Sequence, residues 1–216
     1  MSTLFATATV PSMYRLKAAF QAWLRPLIRV VAELGVTANQ ITLTACALSV
    51  GFGLLLISQP QSRALLLLLP VLLFLRMALN AMDGLLAREF GQQSKLGACL
   101  NELGDVVSDA FLYIPFVYLG NLDSLWMLVV ILLAVISEMA GVVTVMIGAS
   151  RRYDGPMGKS DRALVFGALA LWFGLGGRVA PSVSYLFPRL MTLLLIATVV
   201  NRVRAGLLET TGGIDG

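Results

Sequence analysis

Histidine is missing from this chain altogether, which removes the commonest general base and the usual zinc ligand. Any chemistry must therefore rest on carboxylates, Asn, Lys or Arg. Cysteine is nearly missing too. Cys46 and Cys99 both fall in apolar segments and read as small buried packing residues, not as a disulfide or a metal site. Charge is scarce: 13% of the residues are charged, where a soluble domain carries roughly 25%. In its place stand long apolar runs within a sequence that is 58% hydrophobic, so the bilayer is the expected solvent. A cleavable signal pattern is also lacking. The first ten residues have no basic stretch, and the first long apolar run begins near residue 41, so the first spanning helix is expected to act as its own insertion signal. The net charge of +4 reads as loop orientation and not as nucleic-acid binding.

The pattern is all-α: a polytopic membrane protein of six transmembrane helices preceded by an interfacial amphipathic helix. Residues 1–34 form the N-terminal interfacial segment, 35–207 a single six-helix domain, and 208–216 a polar tail expected to be disordered. Within the first segment, Leu16, Phe20, Trp23 and Leu27 recur at helical spacing, with Arg15, Lys17, Arg25 and Arg29 supplying basic charge and Pro26 interrupting. An ordinary packed helix is the other reading of that stretch. Spans are expected at 40–58, 64–82, 97–120, 124–148, 163–180 and 183–203, each near the length that crosses a bilayer. With six spans, twelve Lys and Arg fall on the side of the N-terminus and the 83–96 and 149–162 loops. Only Arg63, Arg178 and Arg189 fall on the other, so the first side is expected to be cytoplasmic.

Ionisable groups inside spans are costly and mark functional sites by default. Here they gather. Arg76, Asn80 and Asp83 sit at i, i+4 and i+7 of the second span, and Asn101, Asp105 and Asp109 at i, i+4 and i+8 of the third. Each set shares one helical face, and both lie towards the cytoplasmic side, so the two are expected to face one water-accessible cavity. Converging carboxylate and amide oxygens suit a hard cation, Mg²⁺ or Mn²⁺. Gly84, Gly97 and Gly104 allow close approach by a backbone or a ligand, although Gly97 and Gly104 can equally serve helix packing.

The run from Asn80, NAMDGLLAREFGQQSKLGACLNELGD, resembles the signature of the CDP-alcohol phosphotransferases, D-x2-D-G-x2-A-R-x8-G-x3-D-x3-D. Asp83-Gly84, Ala87-Arg88, Gly97 and Asp105 fall in register without a gap. The stretch VTANQITL, which contains Asn39, resembles the family's entry into its first membrane helix. Two positions depart: Asn80 and Asn101 stand where the family has its first and third aspartates, so two negative charges are missing. Asp109, Glu102 or Glu138 are the candidates to replace that charge, Asp109 best by helical geometry, with Arg76 a candidate partner for Glu138.

The resemblance implies a phospholipid-synthesis enzyme in a bacterial inner membrane, its active site facing the cytoplasm. An alcohol hydroxyl would attack CDP-diacylglycerol and release CMP with the help of Mg²⁺ or Mn²⁺. It implies Asn80, Asp83, Asn101 and Asp105 as the metal-binding set, to which helical geometry adds Asp109, with Asp105 as the base, and Asn39, Gly84, Ala87, Arg88 and Gly97 around the CDP moiety. A homodimer is carried over from the family in the same way. The basic loop RRYDGPMGKSDR at 151–162 has two readings. Arg151, Arg152, Lys159 and Arg162 either receive an anionic acceptor or phosphate, or are positive-inside charge at lipid headgroups. The chief rival function is a weakly active or non-catalytic paralogue that binds CDP-lipid or supports a partner enzyme. A small transporter is a more distant third, because broken helices and inverted repeats are not apparent.

Overall fold

The computed structural model describes residues 10–211. Among them there is no strand. The helices are α1 (Val10–Glu33), α2 (Ala38–Ser58), α3 (Arg63–Glu89), α4 (Lys95–Tyr113), α5 (Ser124–Val143), α6 (Lys159–Gly174) and α7 (Pro181–Thr211). Short 3₁₀ turns, Ile114–Val117 and Thr144–Ile147, follow α4 and α5. The chain divides into two compact units. One comprises residues up to Ala45 together with Leu75–Gly104; the other comprises Cys46–Phe74 and Asp105 onward.

In the first unit, Leu24 and Ile28 of α1 are buried against Ala38 and Ile41 of α2 and against Met82, Leu85 and Leu86 of α3. Of the stripe expected to meet the membrane interface, Phe20 packs against this cluster, while Trp23 and Leu27 are 71% and 51% exposed. Pro26 lies inside α1 without ending it. Local chemistry explains how α2 begins. Gly35 takes a positive φ of 76° as α1 ends. Thr37 and Gln40 then form a reciprocal cap, Gln40 N–H donating to Thr37 Oγ1 at 3.3 Å and Thr37 N–H to Gln40 Oε1 at 2.8 Å.

The second unit is organised around Leu56, Leu69, Leu112, Tyr113, Phe116, Met127, Phe166 and Leu195. The rings of Tyr113 and Phe166 stack with centroids 3.9 Å apart, and Phe116 meets Phe166 edge-on at 5.0 Å. Asp123 caps α5 by accepting from Trp126 N–H at 3.4 Å and pairs with Arg189 of α7 at 3.0 Å. α5 packs chiefly on α7.

Four helical segments are long and apolar enough to cross a membrane: Ala38–Ser58, Arg63–Glu89, Ser124–Ile147 and Pro181–Thr211. No more than 39% of any of their apolar windows is buried inside the protein, the reverse of a soluble core, and the chain is membrane-integral. Each of the six expected spans overlaps a helix, but α4 and α6 end short of the expected 97–120 and 163–180 and do not meet that standard. α6 has 16 residues, about 24 Å at 1.5 Å per residue, against a core of about 30 Å. α4 carries Glu102, Asp105 and Asp109 along its 19 residues. The tail begins later than expected, since α7 continues to Thr211; residues 212–216 lie outside the described part. The cysteines also differ from expectation. Both are free, but Cys99 is exposed and Cys46 only partly buried.

Close helix packing in the second unit rests on a missing side chain at Gly53, where a Cβ would stand 2.3 Å from the Phe111 carbonyl oxygen. We expect Gly53→Val to destabilise the protein by about 1–3 kcal/mol or more through overpacking. Thermal unfolding of the detergent-solubilised protein reads this directly, and an unchanged Tm would mean that α2 and α4 separate at no cost.

Candidate active site

The first unit contains a cavity of about 780 Å³, well within the range of small-molecule sites. Asn39 and Thr42 reach it from α2, Asn80, Asp83, Gly84, Ala87 and Arg88 from α3, and Gly97 and Asn101 from α4. The turn at Gln92, Gln93 and Ser94 completes its wall. Every residue of this unit singled out as metal- or CDP-binding in the sequence therefore lines one space.

Several contacts hold that wall in place. Asp83 is 6% exposed and accepts from the Thr42 hydroxyl at 2.7 Å, which orients one carboxylate oxygen. Gln92 accepts from the Ala38 N–H at 2.6 Å, tying the loop after α3 to the first turn of α2. Ser94 caps α4 by accepting from Gly97 N–H at 2.9 Å. A Cβ on Gly97 would lie 2.7 Å from Asn39 Oδ1, so glycine there lets the Asn39 amide stand against α4. Thr42, Gln92, Ser94 and Lys95 were missed by sequence reasoning. The only signal for them was polarity beside the motif, which is common at membrane boundaries.

In the second unit, Asp105 Oδ1 lies 2.5 Å from the Lys159 ammonium. Asp109 and Glu138 converge on Arg162, which is fully buried, at 2.9 and 2.8 Å. Glu138 also pairs with Arg151 at 3.0 Å and with Arg202 at 3.3 Å. Arg202 donates further to the Ser137 carbonyl and, at 3.3 Å, to the Asp154 carbonyl. These contacts redirect several expectations. The partners of Glu138 are Arg151, Arg162 and Arg202, whereas Arg76 was the expected one. Asp109, the expected substitute metal ligand, spends its charge on Arg162. Arg162, expected to meet an acceptor, is sealed inside. Arg202 had been counted only as an orienting charge, yet it is 1% exposed.

Arg152 is held by Asp154, whose two carboxylate oxygens accept at 2.8 and 3.0 Å, and by Glu209 at 2.9 Å. Those hydrogen bonds from Arg152, opposed by partial burial, keep the Asp154 carboxyl below its ordinary range. A folded-state pKa lowered in this way contributes stability that is full above the usual carboxylate range. It is lost as pH falls through the depressed value.

Among the described residues no group of three Asp, Glu, Cys or His side chains is placed to hold a metal. The cavity offers one carboxylate, Asp83, with the amides of Asn80 and Asn101. That donor set is hard and low in charge. It fits one divalent cation that keeps waters or takes substrate phosphate oxygens, as Mg²⁺ does.

The sequence profile of CDP-alcohol phosphatidyltransferase matches residues 35–203. The chain belongs to this family. Two curated relatives place it further. Inner membrane protein YnbA of Escherichia coli (strain K12) is 45% identical over 200 residues, covering 91% of this chain and 97% of that protein. Phosphatidylinositol phosphate synthase of Corynebacterium glutamicum is 36% identical over 93 residues, 43% of this chain and 41% of that protein. The fold is shared with crystal structures of Mycobacterium tuberculosis phosphatidylinositol phosphate synthase (PgsA1). The complex with manganese and citrate matches with a TM-score of 0.69 at 18% identity, covering 84% of this chain and 88% of that one. The form with CDP-DAG bound matches at 0.66 and 19% identity, covering 86% and 92%. As a CDP-alcohol phosphatidyltransferase, this chain is notable for the Asn pair at 80 and 101 and for the closed network around Glu138.

Replacing Arg162 by Met would leave Glu138 and Asp109 short of a buried partner, a loss of about 3–5 kcal/mol by analogy with other broken buried pairs. Thermal denaturation of the purified variant reads this, and a wild-type Tm would overturn the role given to Arg162.

Proposed function

We propose that this protein transfers the phosphatidyl group of CDP-diacylglycerol to the hydroxyl of an alcohol, releasing CMP. In this reading it works with one divalent cation at the cytoplasmic face of a bacterial inner membrane, which it crosses six times. One observation carries the proposal: eight residues of the family signature and its entry helix, from Asn39 to Asn101, line a single cavity.

In this reading Asp83, Asn80 and Asn101 hold the cation, which offsets the charge of the pyrophosphate. Arg88 takes phosphate oxygens, Gly84 admits the nucleotide close to the backbone, and Ala87 leaves room for the cytosine. By its place in the signature, Asp105 accepts the hydroxyl proton. The alcohol oxygen then bonds to the β-phosphorus while the bond from that phosphorus to the bridging oxygen breaks, and CMP leaves with that oxygen. Lys159 of α6 faces Asp105 at 2.5 Å.

The amides at 80 and 101 favour a second reading, a chain that binds CDP-lipid with little turnover or that supports a partner enzyme. CMP release from CDP-diacylglycerol with Mg²⁺ or Mn²⁺ and a panel of alcohols separates the two. Acceptor-dependent release is expected, falling about 10²–10⁴-fold in Asp105→Ala as for other lost general bases, and abolished in Asp83→Ala. CDP-lipid binding without release from any acceptor would favour the second reading. Asn101→Asp is expected to remain active and to reach half-maximal rate at lower Mg²⁺. A higher Mg²⁺ requirement would argue against ligation by Asn101.

A further inference from the structure

The cavity of the first unit is lined by one acid, Asp83, and two bases, Arg88 and Lys95. Carboxamides, Asn80 and Asn101 among them, supply most of its other polar groups. With Asp at 80 and 101, as in the family signature, the same walls would hold three acids against two bases. A diphosphate would then meet net repulsion unless a divalent cation offset it. As the walls stand, their positive side chains outnumber the negative.

Both bases are placed to use that surplus. Arg25 of the same unit is paired with Glu89 at 3.2 Å. Among the described residues neither Arg88 nor Lys95 has an ion-pair partner. Arg88 folds back along α3, where a Cβ on Gly84 would stand 3.2 Å from its Nη1, so the guanidinium lies against a residue of the cavity wall. Lys95 is the more telling of the two. It opens α4, at the end of a helix where the peptide dipoles disfavour a cation, and the first turn contains no acid to offset it. A charge kept where its own helix penalises it is expected where a bound anion supplies the partner.

We propose that this cavity binds a nucleoside diphosphate headgroup without a divalent cation, its phosphates held by Arg88 and Lys95, and that the amides of Asn80 and Asn101 make this possible. Phosphate oxygens are the acceptors that guanidinium and ammonium donors bind most strongly. Binding then precedes, and does not need, the cation that turnover uses. The choice of nucleotide rests on the transferase reading above.

The test is equilibrium binding of CDP to the full-length protein in uncharged detergent, by calorimetry, in EDTA and again in Mg²⁺. The wild type is expected to bind in EDTA within about fivefold of its affinity in Mg²⁺, the low edge of coupling between two ligands. Arg88→Gln and Lys95→Gln are each expected to weaken binding in EDTA by about tenfold, the scale of one charge-assisted hydrogen bond. Cytidine, which has no phosphate, is expected to bind far more weakly than CDP. The double variant Asn80→Asp, Asn101→Asp changes charge at nearly constant volume. Its binding in EDTA is expected to fall by about tenfold or more and to return with Mg²⁺.

Wild-type binding that appears only with Mg²⁺ would overturn the proposal and leave the transferase reading intact. So would unchanged affinity in EDTA for Lys95→Gln or for the double variant, or cytidine binding as tightly as CDP. No CDP binding in either condition would instead remove the nucleotide reading of the cavity, and the proposal with it. If the double variant folds poorly, the wild-type comparison and the cytidine control still decide.

Discussion

Glu138, a carboxylate in the middle of an apolar helix, meets three guanidinium groups, and the ordering of the second unit depends on it. An isolated charge in that position would be prohibitive. Three arginines from two elements and a loop converge on it: Arg151 before α6, Arg162 in α6 and Arg202 in α7. Asp109 of α4 and Ser137 add further contacts to Arg162. Such a cluster adds little net stability over a well-packed apolar core, but it is expensive to break. It therefore fixes which side chains meet. The 151–158 segment is held to the same cluster, by Arg151 within it and by the bond from Arg202 to the Asp154 carbonyl.

The cavity of the first unit is built on a different principle. Its wall depends on backbone groups that helix ends leave over: the Ala38 N–H bound by Gln92, and the Gly97 N–H bound by Ser94. The turn after α3 thus contributes lining residues and also fastens the helices that carry the others. The carboxylate density is modest, and the amides of Asn80 and Asn101 lower the charge that a bound cation would meet. Family membership is clear from the sequence profile, while the chemistry of this particular chain turns on those two positions.

Much of this could be read in the sequence, for a specific reason. A signature with fixed gaps ties residues to helical faces, so Asn80, Asp83, Gly84, Ala87 and Arg88 had to fall along one side of α3. Cross-helix partners have no such periodicity. Arg162 and Ser137 lie 25 positions apart, and Arg202 and Ser137 lie 65 apart. Charge counting assigned Arg202 to the membrane surface because orientation rules see only sign and loop position. The inward face of α1, Leu24 and Ile28, lies about 100° around the helix from Trp23 and Leu27. Both pairs are apolar, and only the packing against α2 and α3 tells them apart.

The last turn of α7 looks dispensable as sequence, one Glu and two Thr at the end of a long apolar helix. Glu209 lies in that turn and is joined both to Ser150 and to Arg152. Shortening the protein at residue 208, where the composition turns polar, would therefore do more than trim an idle end. It would take away one of the two carboxylates that hold Arg152 and the acceptor that fixes Ser150, untying the loop after α5 from the end of α7.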